Sequence, residues 1–124
     1  MVEILSEMPP GVVGMRVDGK MTRADYTEVI EPALKDAFEA EEVRLYCEIP
    51  PGFDGLEAGA LAEDLKTAFA YGIGEKRHRF RRTAIVTDTE WIRRATEAFA
   101  FMAPGEIRVF ALAERDAARD WAAG

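Results

Sequence analysis

The chain contains few of the side chains from which most active sites are built. Its 124 residues include one histidine, one cysteine and one serine, and neither asparagine nor glutamine occurs. Catalysis needs a nucleophile, a base or a metal ion held in a cleft. No catalytic triad can be read from the sequence, and no His-x-x-x-His or Cys-x-x-Cys spacing suggests zinc. The sequence therefore predicts a non-catalytic protein without a metal ion or cofactor.

Disulfides and long apolar runs are also missing. A single cysteine, Cys47, cannot form an intrachain disulfide, so stability is expected to come from packing in a reducing compartment. No apolar run approaches the roughly 20 residues that cross a bilayer, so no integral membrane segment is expected. The segment Met1–Ile4 lacks the basic start and the apolar stretch of a signal peptide. We therefore expect a cytoplasmic protein.

Acidic residues outnumber basic residues in this chain, and the basic residues are densest in one segment. The chain has 16 lysines and arginines and 23 aspartates and glutamates, which gives a formal net charge of −7. This negative charge argues against a nucleic-acid partner. The densest cationic segment is 76–82, which includes His78, Arg79 and Arg81. Arg79 and Arg81 are candidates for binding a phosphate or a lipid head group. In the alternative interpretation they stabilise the C-terminal end of a helix and pair with surface carboxylates.

Apolar patterning predicts one α/β domain over residues 1–124. Forty-eight per cent of the residues are hydrophobic and 31% are charged, as in a globular domain with one core. Short apolar runs with turn residues between them predict five strands, at Val2–Leu5, Val12–Val17, Val43–Ile49, Thr83–Val86 and Ile107–Leu112.

Segments with helical periodicity separate most of these runs. Thr22 and Asp25 form a predicted capping box for the first helix, which contains Pro32. Further helices are predicted from Asp54, from Glu90 and through Trp121. Alternating strands and helices favour a mostly parallel five-stranded sheet with helices on both faces, the first strand pairing antiparallel to the second.

Within the third strand, apolar and polar residues alternate. Val43, Leu45, Cys47 and Ile49 share one face, and the polar residues between them share the other. We therefore expect this strand to have one face in the core and one outside it. Cys47 is then a small buried apolar residue and not a reactive thiol.

Four segments together resemble the SpoIIAA-like family, whose fold is shared by STAS domains and Sec14-type lipid-binding domains. These are the segments 17–26, 82–88 with Trp91, 107–110 and 118–121. The resemblance runs nearly end to end and implies a β/α superhelix. It also implies a role in regulation or in binding apolar molecules.

One departure from partner-switching STAS proteins concerns their phosphorylatable serine after the third strand. Residues 52–56 here read Gly-Phe-Asp-Gly-Leu, and Ser6, the only serine, lies far away in sequence. The phosphorylation switch is therefore not expected in this chain. Asp54 is interpreted either as a helix cap or as a permanent negative charge at that helix end.

The best candidate site lies where the third and fourth strands end. In open α/β sheets, ligands bind outside the carboxyl ends of the strands. This rule groups five candidate ligand-binding residues: Phe53, Asp54, Thr87, Asp88 and Trp91. In the alternative interpretation Thr87 and Asp88 cap a helix and Trp91 belongs to the core.

Two further residues suggest an interface. Phe101 and Met102, near the end of the predicted third helix, are candidates for a subunit contact in a homodimer or for the entrance of an apolar ligand. In the alternative interpretation Phe101 covers the edge of the core. The leading functional hypothesis is a binding module for a small apolar or lipid-like ligand. The alternative is a protein-interaction or regulatory module.

Overall fold

Five strands form a single sheet in the order in which they occur along the chain. The computed structural model describes residues 1–53, 55 and 78–124. The strands are β1 (Val2–Leu5), β2 (Val12–Val17), β3 (Val43–Ile49), β4 (Phe80–Thr87) and β5 (Glu106–Phe110). β1 pairs antiparallel with β2, and the other neighbours are parallel. This confirms the predicted sheet, including the direction of its first strand.

Helices lie on both sides of this sheet. A π-helical segment (Asp25–Ile30) leads into α1 (Glu31–Ala37), and α2 (Glu90–Phe99) connects β4 to β5. The final helix is α3 (Arg115–Ala123). The helix predicted from Asp54 lies outside the described residues.

The first helix begins as predicted. The backbone N–H of Asp25 donates to Thr22 Oγ1 at 3.2 Å, and the backbone N–H of Thr22 donates to Asp25 Oδ2 at 2.8 Å. Each side chain thus satisfies a backbone group that the start of a helix leaves free. The α-helical pattern starts at Glu31, just before Pro32. The N–H of Glu31 still donates to the carbonyl of Tyr26 five residues back, as in a π-helix.

Two clusters of buried apolar residues lie on opposite faces of the sheet. The first core cluster, on the α1 side, consists of Val2, Met15, Val17, Met21, Tyr26, Ile30, Leu34, Phe38 and Val43. The second core cluster, on the α3 side, consists of Val12, Tyr46, Ala84, Val86, Phe110, Leu112, Ala118 and Ala122. The predicted last helix is confirmed, although Ala118 and Ala122 are more deeply buried than Trp121 and Ala117 is exposed.

The prediction that β3 has only one face in the core is wrong. Tyr46 is completely buried and Glu48 is 1% exposed, although both lie on the face expected to be outside the core. The reason is that α3 packs across β3 and β4 and covers this face. A parallel sheet covered on both sides buries both faces of its inner strands.

Gly105 marks a close approach of backbone segments before β5. Its φ is +73°, and a Cβ atom at this position would lie 2.7 Å from the carbonyl oxygen of Phe80 and 2.8 Å from that of Arg81. Gly11, in the β1–β2 connection, also has a positive φ, of +83°, but a Cβ atom there would meet no other atom within 4 Å. An alanine at Gly11 would therefore meet only the strain of the positive φ, whereas an alanine at Gly105 would meet that strain and a clash with backbone atoms.

We expect Gly105→Ala to lower the free energy of unfolding by at least about 3 kcal/mol and Gly11→Ala by about 1 kcal/mol. The larger value follows because the backbone atoms around Gly105 cannot rotate away. Urea unfolding followed by circular dichroism measures both. Equal losses in the two variants would contradict the close packing of this turn against β4.

Candidate functional site

An aromatic pair lies at the carboxyl ends of β3 and β4. The rings of Phe53 and Trp91 stack with their centroids 6.3 Å apart and an angle of 26° between their planes. Phe53 is partly buried and packs against the first core cluster. Trp91 is 59% exposed, whereas its neighbour Ile92 is buried. The structure thus brings together these two residues of the predicted site.

Thr87 and Asp88 hold the loops around this pair in place. Thr87 is completely buried, and its Oγ1 accepts a hydrogen bond from the backbone N–H of Thr89 at 3.1 Å. The exposed Asp88 does not cap α2. Its Oδ1 accepts a hydrogen bond from the backbone N–H of Leu112 at 3.0 Å, which joins the end of β4 to the turn after β5. Asp54, the fifth residue of the predicted site, lies outside the described residues.

Two arginines of the segment 76–82, Arg79 and Arg81, contact carbonyls and a carboxylate. Arg79 Nη1 donates to the carbonyl of Phe38, just after α1. Arg81 donates to Glu42 Oε1 at 3.3 Å and to the carbonyl of His78 at 2.9 Å. These contacts are of the kind expected in the alternative interpretation, in which the two arginines stabilise a helix end and pair with surface carboxylates. Anion binding by Arg79 and Arg81 stays a prediction.

Phe101 and Met102 form an exposed apolar surface near β5. They belong to a 3-10 turn that continues α2 over Ala100–Met102, and this turn lies against β5. Phe101 is 81% exposed and Met102 is 59% exposed. Their role in an interface stays a prediction.

A cluster of ion pairs around a buried carboxylate, Glu48, lies on the α3 side and was not predicted. The Glu48 carboxylate accepts hydrogen bonds from Arg16 Nε at 2.8 Å, from Tyr46 Oη at 2.8 Å and from Arg115 Nε at 2.9 Å. Arg16 also contacts Glu3 Oε1 at 3.3 Å. We call Glu48, Arg16, Tyr46 and Arg115 the Glu48 cluster. It connects β2, β3 and the start of α3.

The protonation states in the Glu48 cluster follow from these contacts. Burial opposes ionisation of Glu48, but hydrogen bonds from Arg16, Tyr46 and Arg115 outweigh it and hold the pKa of this carboxyl below its usual value. Burial and the hydrogen bond to Glu48 raise the pKa of Tyr46. Glu48 is therefore an ionised acceptor that holds other residues, and not a proton donor.

The neighbouring thiol is shielded. Cys47 is partly buried and packs against the first core cluster. Burial, with a smaller effect of the Glu48 charge, raises the pKa of the Cys47 thiol to about 12. The thiol is thus protonated at neutral pH, which makes it a poor nucleophile.

Two shallow cavities occur elsewhere in the described ranges. One of about 170 Å³ lies beside Arg16 and Arg119, and one of about 280 Å³ lies at the amino ends of β2 and β3. Both are smaller than the roughly 300 to 1,000 Å³ of typical ligand pockets. In residues 1–53, 55 and 78–124, no group of three or more His, Cys, Asp or Glu residues could hold a metal ion. None of the helices in these ranges has the length and apolar content needed to span a membrane.

The described residues define an α/β protein with one mixed sheet and a buried carboxylate, Glu48, on the side covered by its last helix. A family model described as SpoIIAA-like matches residues 12–123. The chain belongs to the SpoIIAA-like family. No curated protein matches it.

Among solved structures, the chain is similar to an uncharacterised protein of the DUF3478 family with a SpoIIAA-like fold, from Shewanella loihica PV-4. The two chains are 27% identical, with a TM-score of 0.77, and the alignment covers 97% of this chain and 92% of that chain.

The Glu48 cluster makes stability depend on pH. The folded-state pKa of Glu48 lies below its ordinary value, so its contribution is present above about pH 4.5 and is lost as the pH falls through the folded-state pKa. We expect Glu48→Gln to lower the free energy of unfolding at pH 7 by about 2 kcal/mol and to flatten its decrease between about pH 5 and pH 3.

Denaturant unfolding at a series of pH values measures this effect. Glu3→Gln is the matched control, because Glu3 contacts Arg16 from an exposed position; we expect a loss of less than about 0.5 kcal/mol. If wild type and Glu48→Gln showed the same pH dependence, the assigned ionisation of Glu48 would be wrong.

Proposed function

We propose that this chain is a single-domain, non-catalytic, cytoplasmic binding module that holds the apolar part of a small or lipid-like ligand against Trp91. The observation that carries the proposal is the exposed indole of Trp91 stacked on Phe53 at the carboxyl ends of β3 and β4. Ligands of open α/β sheets bind at these ends.

An exposed tryptophan can contribute substantial binding free energy. Covering the exposed part of Trp91, on the order of 150 Å², would contribute about 3 to 4 kcal/mol at 25 cal/mol per Å². The stacked rings leave no space for a molecule between them. The ligand is therefore expected to lie on the outer surface of the indole.

The pair is also well positioned before binding. Phe53 follows two prolines and Gly52, and it packs on the first core cluster. On the other side, the hydrogen bond from Thr89 to Thr87 Oγ1 fixes the chain where α2 begins, one residue before Trp91. Little ordering of the chain is then required when a ligand binds.

A second candidate function is protein interaction. It is favoured by the exposure of Phe101 and Met102, since large exposed apolar side chains that lie together often mark interfaces. This surface lies at the other end of α2 from Trp91. Ligand binding and protein interaction would therefore use separate surfaces, and each can be tested by changing its own residues.

Tryptophan fluorescence tests the proposed site. The chain has two tryptophans, and Trp121 packs against Phe110 with ring centroids 5.7 Å apart. We expect oleate or a neutral monoacylglycerol to shift the wild-type emission to shorter wavelength, because the ligand removes water from the Trp91 indole. Trp91→Phe should abolish the shift, and the remaining Trp121 emission should not respond.

Phe53→Leu is the second variant. It keeps an apolar side chain on the core but removes the ring, so we expect weaker binding with a loss of stability below about 1.5 kcal/mol. An unchanged response in Trp91→Phe would place binding elsewhere. No response of the wild type to either probe would favour protein interaction.

A further inference from the structure

The two edges of the sheet differ in how they are covered. Along β1, the backbone N–H of Val2 donates to Asp25 Oδ1 at 3.3 Å, so the start of the π-helical segment covers the Val2 end of this edge. β5 forms the other edge, and in the described ranges its hydrogen-bonded neighbour is β4. The outer backbone groups of β5 are therefore candidates for pairing with another strand.

The exposed side chains on β5 carry opposite charges two residues apart. Glu106 and Arg108 are both exposed and lie on the same face of the strand, because side chains alternate along it. Glu106 Oε1 lies 3.9 Å from Arg82 Nε, a long contact, and the Arg108 guanidinium lies 4.9 Å from the ring centre of Phe110. Neither charge is held in a short ion pair by these contacts.

We propose that the β5 edge binds the β5 edge of a second copy of this chain, antiparallel and centred on Ile107. In this register Ile107 faces its own copy, and Glu106 of each chain lies opposite Arg108 of the other. Charges on an edge strand usually oppose such pairing. Here their spacing produces two complementary pairs, because opposite residues in an antiparallel ladder share a face.

Charge also favours this register because, of the axes on β5, only the one at Ile107 places opposite charges across from each other. A twofold axis at Arg108 would place two arginines opposite each other, and an axis at Glu106 would place two glutamates opposite each other. Both arrangements are repulsive. The axis at Ile107 avoids this repulsion, and its antiparallel symmetry closes the assembly as a dimer.

Apolar surface flanks this edge. The turn Ala100–Met102 lies against β5 and exposes Phe101 and Met102. Pairing of the strands would bring a second copy towards this turn, where apolar burial can add to the backbone hydrogen bonds. This surface is distinct from the Trp91 site, so the inference stands independently of the proposed ligand.

Charge reversal tests the pairing. We expect wild type to form dimers in sedimentation equilibrium at micromolar concentration. Arg108→Glu and Glu106→Arg should each raise the dimer dissociation constant about tenfold or more, because each places like charges opposite each other twice. The double variant, with both charges reversed, should restore the dissociation constant to within about threefold of wild type.

Arg94→Glu is the control reversal. Arg94 is exposed on α2, and its ion pair with Glu90 stays within that helix, so dimerisation should not change. Circular dichroism confirms that each variant is folded. A monomeric wild type, a dimer that survives both single reversals, or a double reversal that fails to restore dimerisation would overturn the proposal.

Discussion

The buried carboxylate of Glu48 is the constraint on which the arrangement of the sheet and its last helix depends. An ionised group that is 1% exposed is very costly unless its oxygens are paired and hydrogen-bonded. Arg16 from β2, Tyr46 from β3 and Arg115 from α3 supply the donors. Because these donors belong to different elements, satisfying one carboxylate fixes the position of α3 over the sheet.

The same packing determines which surfaces remain available. With α3 across β3 and β4, the first two α3-side residues of β5, Glu106 and Arg108, remain exposed, whereas Phe110 on the same face is buried. At the carboxyl ends of the strands, α2 turns Ile92 inward and Trp91 outward. The proposed ligand surface and the proposed edge pairing are thus separate consequences of how helices cover one sheet.

Much of the fold could be predicted because its signals are local. Turn residues and apolar runs indicated the strands, and the Thr22 and Asp25 pair indicated a helix start. The burial of Glu48 could not be predicted, because alternation along a strand does not reveal whether a helix covers its polar face. The spacing of Arg115 and Arg119 beside Ala118 and Ala122 was the available signal. The proximity of Phe53 and Trp91 followed from topology, whereas the exposure of Trp91 depends on the rotation of α2.

The most direct test of this account is the coupling energy between Glu48 and Arg115. It is obtained from urea unfolding of Glu48→Gln, Arg115→Met and the double variant. The cycle cancels the loss of the separate hydrogen bond from Arg115 to the carbonyl of Leu112. The account predicts a coupling of about 1 to 2 kcal/mol between the two sites. Additive losses, within about 0.5 kcal/mol, would contradict the central role of the buried carboxylate.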